Sequence, residues 1–252
     1  MKILTLERKK HPDTFRSAKA LAFYLKERGE SFFVTSDPCD KDIFIRWGCS
    51  YPGNDNSTEL NRRDLIQLSS NKNSLSEYLK EKIHLIEFFR GQPDKYPVVV
   101  RTIISGSGGK GIIVCKNEEE FKPYSENYWS YWYNFRFELG VHILGGKIIR
   151  VFKKVRDNGE DSEEEFPIRN LKNGYHFSLV NQEIYSKLPK FVDEVFKEFP
   201  IQMARLDVGW DIDNKIYRLI ETNSAPCLIN NENTLMLYGD FIFNKLKGET
   251  NG

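Results

Sequence analysis

Apolar and polar positions at the start of the chain predict the order strand, helix, strand, strand. The strand candidates are Ile3–Leu6, Ser31–Thr35 and Asp42–Trp47. Between the first two, the segment Asp13–Arg28 places its apolar residues on one helical stripe, and Gly29 ends it. Strands that alternate with helices are typical of an open, largely parallel sheet. We therefore expect an α/β fold with a parallel N-terminal sheet.

The middle and the end of the chain predict helices and antiparallel hairpins. The segments with helical periodicity are Glu59–Leu68, Ser74–Phe89, Glu183–Phe199 and Asn233–Leu246. The β-branched segments Val98–Ile104 and Gly111–Cys115 are typical of strands. Two longer hairpins are predicted, one turning at Gly145-Gly146 and one at Asp213-Asn214.

The last hairpin can bring acidic and amide side chains together. Side chains two apart in a strand share a face, so Glu221 and Asn223 lie together on one strand. Pairing across the hairpin can place Asp207 of the other strand beside them. Carboxylate and amide oxygens are the donors that Mg²⁺ takes when it also holds substrate phosphates. The alternative is a solvent-facing hairpin with ordinary acidic residues.

A loop rich in serine and glycine joins the two β-branched strands. It runs Ser105-Gly106-Ser107-Gly108-Gly109-Lys110-Gly111. Glycine lets backbone N–H groups turn toward a phosphate, and Lys110 can add a positive charge. A strand follows the loop, whereas a Walker loop opens a helix, so we expect the loop to lie over phosphates as a flap. The alternative is a flexible hairpin loop without a ligand.

Three further segments carry side chains of interest. Lys153 lies mid-strand in the run from Val151 to Val155, which is an unusual place for a solvated lysine. Arg169-Asn170 places a cationic and an amide side chain near a turn. The aromatic run Tyr128–Tyr133 is typical of a hydrophobic core, and a wall beside an adenine ring is the functional alternative.

Composition narrows the classes of function. The 252 residues carry a net charge of +1 and no long basic tract, which gives no indication of a nucleic-acid partner. No apolar run approaches the ~20 residues that cross a bilayer, so we expect no membrane partner. The four cysteines are scattered and the four histidines show no ligand spacing. We therefore expect reduced thiols, no transition-metal centre and a cytoplasmic protein.

Taken in order, these segments resemble the ATP-grasp superfamily, and within it the small RimK-like ligases found in bacterial viruses. The likeness covers most of the chain from residue 74 onward and, more faintly, the N-terminal segment through Ile45-Arg-Trp-Gly48. Four segments carry it. They are the strand and glycine loop Val98–Ile113, the strand of Lys153, Arg169-Asn170, and Asp207 followed by Glu221-Thr-Asn223-Ser-Ala-Pro.

The resemblance implies a pre-grasp lobe over residues 1–73, a central ATP-grasp lobe over 74–131 and a C-terminal lobe over 132–252. ATP would lie between two antiparallel sheets, with two Mg²⁺ ions bridging its phosphates. The implied metal ligands are Asp207, Glu221 and Asn223. Lys153 and Arg169 would contact the transferring phosphate or the carboxylate substrate. The implied nucleotide contacts are Arg101 at the α-phosphate, the flap Ser105–Gly111, Tyr131 and Glu138.

The resemblance also implies a reaction, in which a carboxylate is phosphorylated to an acyl phosphate and an amine then attacks to give an amide. Amino acids and peptides are among the acceptors it allows. Two departures bear on the substrate. Gly140 stands where the family pattern Glu-x-Arg-Val-His has arginine, and Cys227 stands where glycine usually follows the proline. Arg136 or Arg150 could supply the missing charge. A nucleotide-binding regulatory module and a phosphotransferase on the same fold are the alternatives.

Overall fold

The computed structural model describes residues 2–5, 12–35, 43–50, 58–103, 109–156 and 166–248. Three β-sheets organise this part of the chain. The first is parallel and four-stranded, and the other two are antiparallel, with three and five strands. The α/β class and the antiparallel sheets predicted from the sequence are confirmed.

The parallel sheet comes first in the chain. Its strands are β1 (Lys2–Thr5), β2 (Phe32–Thr35), β3 (Ile43–Arg46) and β4 (Thr58–Leu60). They lie in the order β2-β1-β3-β4. The helix α1 (Pro12–Glu27) connects β1 to β2 and buries Ala18, Leu21 and Leu25 on the predicted stripe. The predicted strand–helix–strand–strand order is therefore confirmed.

Two short helices follow, α2 (Arg63–Ser70) and α3 (Lys72–Leu79). The predicted helix Ser74–Phe89 is wrong at both ends. The helix α3 starts earlier because the side chain of Asn71 accepts hydrogen bonds from two backbone N–H groups of its first turn.

Beyond α3 the chain leaves the helical path. Glu81 has a φ of +67°, a left-handed conformation that ends helical geometry. Leu85 then forms a parallel β-bridge with Leu219, and Phe89 forms an antiparallel bridge with Trp129. Long-range pairing therefore replaces the helix that local periodicity predicts.

The three-stranded sheet carries the segments beside the glycine loop. Its strands are β5 (Val98–Arg101), β6 (Ile112–Cys115) and β7 (Tyr128–Tyr131), in the order β6-β5-β7. A single helical turn, α4 (Glu118–Phe121), precedes β7. Val98, Val100 and Trp129 form a small separate core with Phe121. The two strands predicted beside the loop are confirmed, with shorter ends at the loop.

The five-stranded sheet contains both predicted hairpins. Its strands are β8 (Phe135–Leu144), β9 (Lys147–Arg156), β10 (Tyr175–Val180), β11 (Met203–Asp211) and β12 (Ile216–Asn223). They lie in the order β10-β9-β8-β11-β12. Gly145 and Gly146 turn the first hairpin with φ values of +56° and +82°, which a residue with a Cβ rarely adopts.

Helices cover this sheet and connect it to the N-terminal segment. The helix α5 (Leu188–Glu198) buries Leu188 and Val192 in the same core as Leu139. The last helix, α6 (Glu232–Lys247), shares a second core with α1. The predicted division into lobes at residues 73 and 131 stays a prediction. Each sheet lies within one predicted lobe, but α1 of the first lobe and α6 of the last share a core. Within the described ranges, no helix has the length and apolar character that crossing a membrane requires.

Candidate active site

A cavity of about 530 Å³ is lined by the three-stranded sheet on one side and by the five-stranded sheet on the other. Val99 and Arg101 of β5 and Tyr131 of β7 contribute to the first side. All five strands of the larger sheet contribute to the second side. The volume lies within the range of small-molecule sites, which is roughly 300–1,000 Å³.

Two carboxylates face each other on the larger sheet. Asp207 on β11 and Glu221 on β12 are direct register partners, and both line the cavity. The register shifts between Asp207 and Val208, so Ile220 is an extra residue on β12. Successive residues of a regular strand point to opposite faces, but the bulge lets Ile220 and Glu221 both line the cavity.

Cations hold these carboxylates in place. Arg205 donates two hydrogen bonds to Asp207, at 2.8 and 3.2 Å. Lys72, the first residue of α3, lies 2.8 Å from Glu221. Burial is the main cause that raises the pKa of Asp207, and the negative charge of Glu221 adds to it. Burial opposes the charge on Glu221, but Lys72, Lys154 and Arg205 outweigh it and lower the pKa of Glu221.

A second ion-pair cluster lies on β8 and β9. The ammonium of Lys154 donates to the Glu138 carboxylate at 2.6 Å, and Arg169 lies 3.8 Å from the same carboxylate. Burial opposes the charge on Lys154, but Glu138 and Asp207 outweigh it and raise the pKa of Lys154. Lys154 therefore stays charged inside the cavity wall.

The structure places Lys154, not Lys153, at the cavity. Side chains alternate along β9, so Phe152 and Lys154 share the cavity face. Lys153 pairs with Leu139 and belongs to the opposite face, where Leu139 lies in the core. The predicted role of Lys153 at the phosphate is therefore corrected on geometric grounds.

Asn223 lies beside the carboxylates but does not line the cavity. It is the register partner of Arg205, two residues from Glu221 on the same strand. Its carboxamide oxygen accepts a hydrogen bond from the backbone N–H of Ala225 at 3.0 Å, a local turn contact. Among the described residues, no group of three or more His, Cys, Asp or Glu side chains could hold a metal.

Part of the predicted phosphate flap reaches the cavity. Gly109 lines it, and a Cβ at this position would lie 2.4 Å from the Nδ2 atom of Asn170. Only glycine therefore permits this close approach. Lys110 and Gly111 are described but do not line the cavity. The flap residues Ser105, Gly106, Ser107 and Gly108 lie outside the described residues.

The remaining predicted nucleotide contacts, Arg101 and Tyr131, both line the cavity. Burial lowers the pKa of Arg101, and its Nε atom is buried without a hydrogen-bond partner in the described part of the chain. A buried donor without a partner is costly, which makes Arg101 suited to an anionic ligand. Tyr131 is fixed by a hydrogen bond to Asp94, which is the main cause that raises the pKa of Tyr131 to about 12.

An aromatic wall continues from Tyr131 along the cavity. Trp132, Tyr133 and Phe135 also line it. The ring of Tyr133 lies 5.9 Å from that of Phe135 in a stacked arrangement. The guanidinium of Arg218 lies 4.5 Å from the centroid of Tyr133, so this ring contacts both an aromatic ring and a cation.

Several cavity residues have no counterpart in the sequence prediction. Lys72, Lys154 and Arg205 all line the cavity. The signal for Arg205 is present in the sequence, because it stands two residues before Asp207 on one strand face. Arg136 and Arg150, suggested as replacements for the arginine missing at position 140, do not line the cavity.

The fold and the site define a class of protein, in which two antiparallel sheets enclose paired carboxylates and buried cations. Comparison with solved structures shows that this is the ATP-grasp fold. The D-alanine–D-alanine ligase from Bacillus anthracis, complexed with ATP, matches with a TM-score of 0.65 and 11% identity over 96% of this chain and 94% of that chain. A RimK-domain ATP-grasp protein from Sphaerobacter thermophilus matches with a TM-score of 0.63 and 9% identity over 100% of both chains.

A third similar structure contains a bound nucleotide. The ATP-grasp ligase PsnB, complexed with a minimal precursor, Mg and ADP, matches with a TM-score of 0.62 and 8% identity over 97% of this chain and 98% of that chain. No family model matches the sequence, and a search of the curated proteins found no match. These likenesses show the ATP-grasp fold. The finer resemblance to ligases of bacterial viruses stays a prediction.

Proposed function

We propose that this protein is an ATP- and Mg²⁺-dependent ligase that joins a carboxylate to an amine through an acyl phosphate. One observation carries the proposal, namely the cavity in which Asp207 and Glu221 face each other among buried cations. Phosphoryl transfer needs little covalent chemistry from a protein and depends on positioning and on neutralising phosphate charge. Paired carboxylates for a metal, with cations beside them, meet that need.

The nucleotide would lie along the cavity from the aromatic wall to the carboxylates. Tyr131 and Tyr133 offer flat apolar surfaces for a base. Arg101 would contact the α-phosphate, because its buried Nε atom lacks a protein partner among the described residues. Gly109, with the rest of the predicted flap, would cover the phosphates. Structural neighbours complexed with ATP, or with Mg and ADP, support ATP and Mg²⁺ as ligands.

Asp207 and Glu221 suit Mg²⁺ by the chemistry of their donors. Mg²⁺ is usually bound through one or two carboxylates together with substrate phosphates, and two facing carboxylates supply that number. Burial and the negative charge of Glu221 raise the pKa of Asp207, and a divalent ion between the two carboxylates would offset their repulsion. Asn223 would join as a third ligand if its oxygen exchanged its bond to Ala225 for the ion. When bound, Mg²⁺ would neutralise charge on the phosphate oxygens.

The buried cations would stabilise the groups that react. Lys154 takes the part predicted for Lys153 and, with Arg169, would contact the transferring phosphate. Arg205 would contact the carboxylate substrate, since its guanidinium already binds a carboxylate in this cavity. A substrate carboxylate oxygen attacks the γ-phosphorus, and ADP leaves. The amine nitrogen then attacks the acyl carbon, and inorganic phosphate leaves with the proton that the amine loses.

Hydroxylamine trapping tests the proposal, because this small nucleophile converts an acyl phosphate to a hydroxamate. Free amino acids and short acidic peptides are supplied with Mg-ATP and hydroxylamine. We expect a hydroxamate with at least one acid, and we expect Asp207→Asn to abolish it. The matched control is Asp193→Asn, which changes an exposed carboxylate on α5.

Two other outcomes would contradict the ligase proposal. A stable phosphorylated product without hydroxamate would indicate a phosphotransferase. Tight binding of ATP with no turnover across the panel would indicate a nucleotide-binding module. A hydroxamate formed equally well by the Asp207→Asn variant would contradict the site assignment instead.

A further inference from the structure

A buried histidine beside the carboxylates takes no part in the site described so far. His142 lies on β8, is 4% exposed, and lines the same cavity. Its Nδ1 atom lies 3.1 Å from the hydroxyl oxygen of Tyr238 on α6. That hydroxyl in turn lies 3.0 Å from the backbone carbonyl oxygen of Ala204. The three groups form one buried chain.

The chain fixes the positions of its protons. Tyr238 has one hydroxyl proton, and two oxygens at 3.0 Å without a hydrogen between them would repel each other. The proton of Tyr238 is therefore donated to Ala204. The tyrosine oxygen is then an acceptor, and Nδ1 of His142 must be the donor. The imidazole is held as the Nδ1–H tautomer, and Nε2 keeps its lone pair.

The surroundings keep this imidazole neutral. Arg205 is the register partner of His142 on the neighbouring strand. Burial, and then the positive charge of Arg205, lower the pKa of His142 to about 3. Burial also raises the pKa of Tyr238, so the phenol keeps its proton. Neither group changes charge at neutral pH.

The ring is also fixed in orientation. It meets the rings of Phe152 and Tyr238 edge-on, at centroid distances of 5.4 and 5.8 Å. Nε2 has no hydrogen-bond partner in the described part of the chain. Nε2 can accept a hydrogen bond from a ligand, whereas the neighbouring Arg205 and Lys154 have only donor atoms and cannot. The ring of His142, with a neutral acceptor at Nε2, lines a cavity rich in cationic donors.

We propose that His142 positions the amine substrate, by accepting a hydrogen bond at Nε2 from an N–H group of the attacking amine. This inference rests on the proposed ligase function. The hydrogen bond orients the nitrogen so that its lone pair can face the acyl carbon, as near-attack geometry requires. His142 acts as a positioning residue and not as a base, because its neutral imidazole does not take up a second proton at neutral pH.

Kinetics of three variants test the inference. His142→Phe keeps a ring and removes the acceptor, and we expect it to raise the KM for the amine about fivefold to tenfold, as for one lost hydrogen bond. The KM values for ATP and for the acid should stay within about twofold. His142→Gln can return an acceptor oxygen near Nε2 and should restore much of the amine KM. Tyr238→Phe removes the hydroxyl that holds His142 in the Nδ1–H tautomer, and it should raise the KM for the amine as well.

Two kinetic results would overturn the inference. One is an unchanged amine KM in His142→Phe. The other is an equal rise in all three KM values, because that pattern indicates a merely structural role. If His142→Phe does not fold, the comparison of His142→Gln with Tyr238→Phe decides between the same outcomes.

A measurement without turnover separates this inference from the ligase proposal. In wild-type protein with ¹⁵N-labelled histidine, we expect Nδ1 of His142 to be protonated and Nε2 to be unprotonated near neutral pH. Adding free amino acids or their amides should move the Nε2 resonance. An Nε2–H tautomer, or an Nε2 signal that no amine moves, overturns the inference. Failure of every acid in the hydroxamate test, with these NMR results intact, overturns the ligase proposal alone.

Discussion

The neutral state of buried His142 predicts a specific dependence of stability on pH. The pKa of His142 is about 3 in the folded chain, against an ordinary value of 6.5. Between these values the unfolded chain binds a proton that the folded chain excludes. Stability therefore rises with pH across this window. The contribution is fully present above about pH 6.5 and is lost progressively as the pH falls toward the folded value.

The size of the effect follows from linkage. One proton excluded by the folded state changes the free energy of unfolding by about 1.4 kcal/mol per pH unit. Between about pH 6 and about pH 4, His142 should therefore remove about 2.5 kcal/mol of stability. The variant His142→Gln has no titrating group at this position. Over the same pH interval, the free energy of unfolding of this variant should fall by about 2.5 kcal/mol less than that of the wild type.

Urea denaturation at several pH values measures the difference between wild type and variant. Carboxylates elsewhere titrate in both proteins, so their contributions cancel in the comparison. His84→Gln is a matched control, because it removes an exposed histidine and leaves His142 in place. It should keep the wild-type dependence. Parallel curves for wild type and His142→Gln would refute the reasoning, since they would mean that the folded chain binds the proton.

Four further substitutions test the cavity and its surroundings. Glu221→Gln removes the charge of one proposed metal ligand, and the proposed ATP turnover should fall by at least about a hundredfold while the melting temperature stays near that of wild type. Lys154→Gln should lower turnover by about a hundredfold, whereas Lys153→Gln should change it by less than about twofold; equal losses would contradict the assignment of faces on β9. Gly140→Ala places a methyl group 2.9 Å from Phe177. It should cost about 1–3 kcal/mol in urea denaturation, and an unchanged free energy of unfolding would contradict that packing.

The hairpin that carries the carboxylates could be predicted because its pattern is local. Polar and apolar residues alternate from Leu206 to Trp210, and period two assigns faces to Asp207 and Glu221. The bulge at Ile220 could not be predicted in this way. It depends on how β12 pairs with β11, and no residue type in the segment requires an extra position.

The choice between two adjacent lysines shows where alternation stops being informative. Val151 and Phe152 are both apolar, and Lys153 and Lys154 are both basic. Each face of β9 therefore carries one apolar and one basic residue in this stretch. A shift by one residue exchanges the faces of a strand, so the sequence could not say which lysine reaches the cavity.

The helix predicted to continue to Phe89 failed for a different reason. Its apolar residues fit a helical stripe, and helical propensity is only a weak guide when tertiary contacts compete. In the structure, Leu85 and Phe89 bridge to residues of two different sheets. Such pairing depends on segments more than 30 positions away in the sequence, at Leu219 and Trp129. The residues near Leu85 and Phe89 in the sequence give no indication of this pairing.

The glycine at position 140 shows how a charge can move between strands. Gly140 is the register partner of Asp207, and a Cβ on it would lie 3.1 Å from the Cδ atom of Arg205. The side chain of Arg205 therefore extends over the space that a larger residue on β8 would occupy. An arginine at position 140 would therefore require the side chain of Arg205 to shift from its observed path. The sequence pattern of β8, taken alone, indicates that a charge is missing at position 140. In the structure, Arg205 of β11, two residues before Asp207, places a guanidinium in the same part of the cavity.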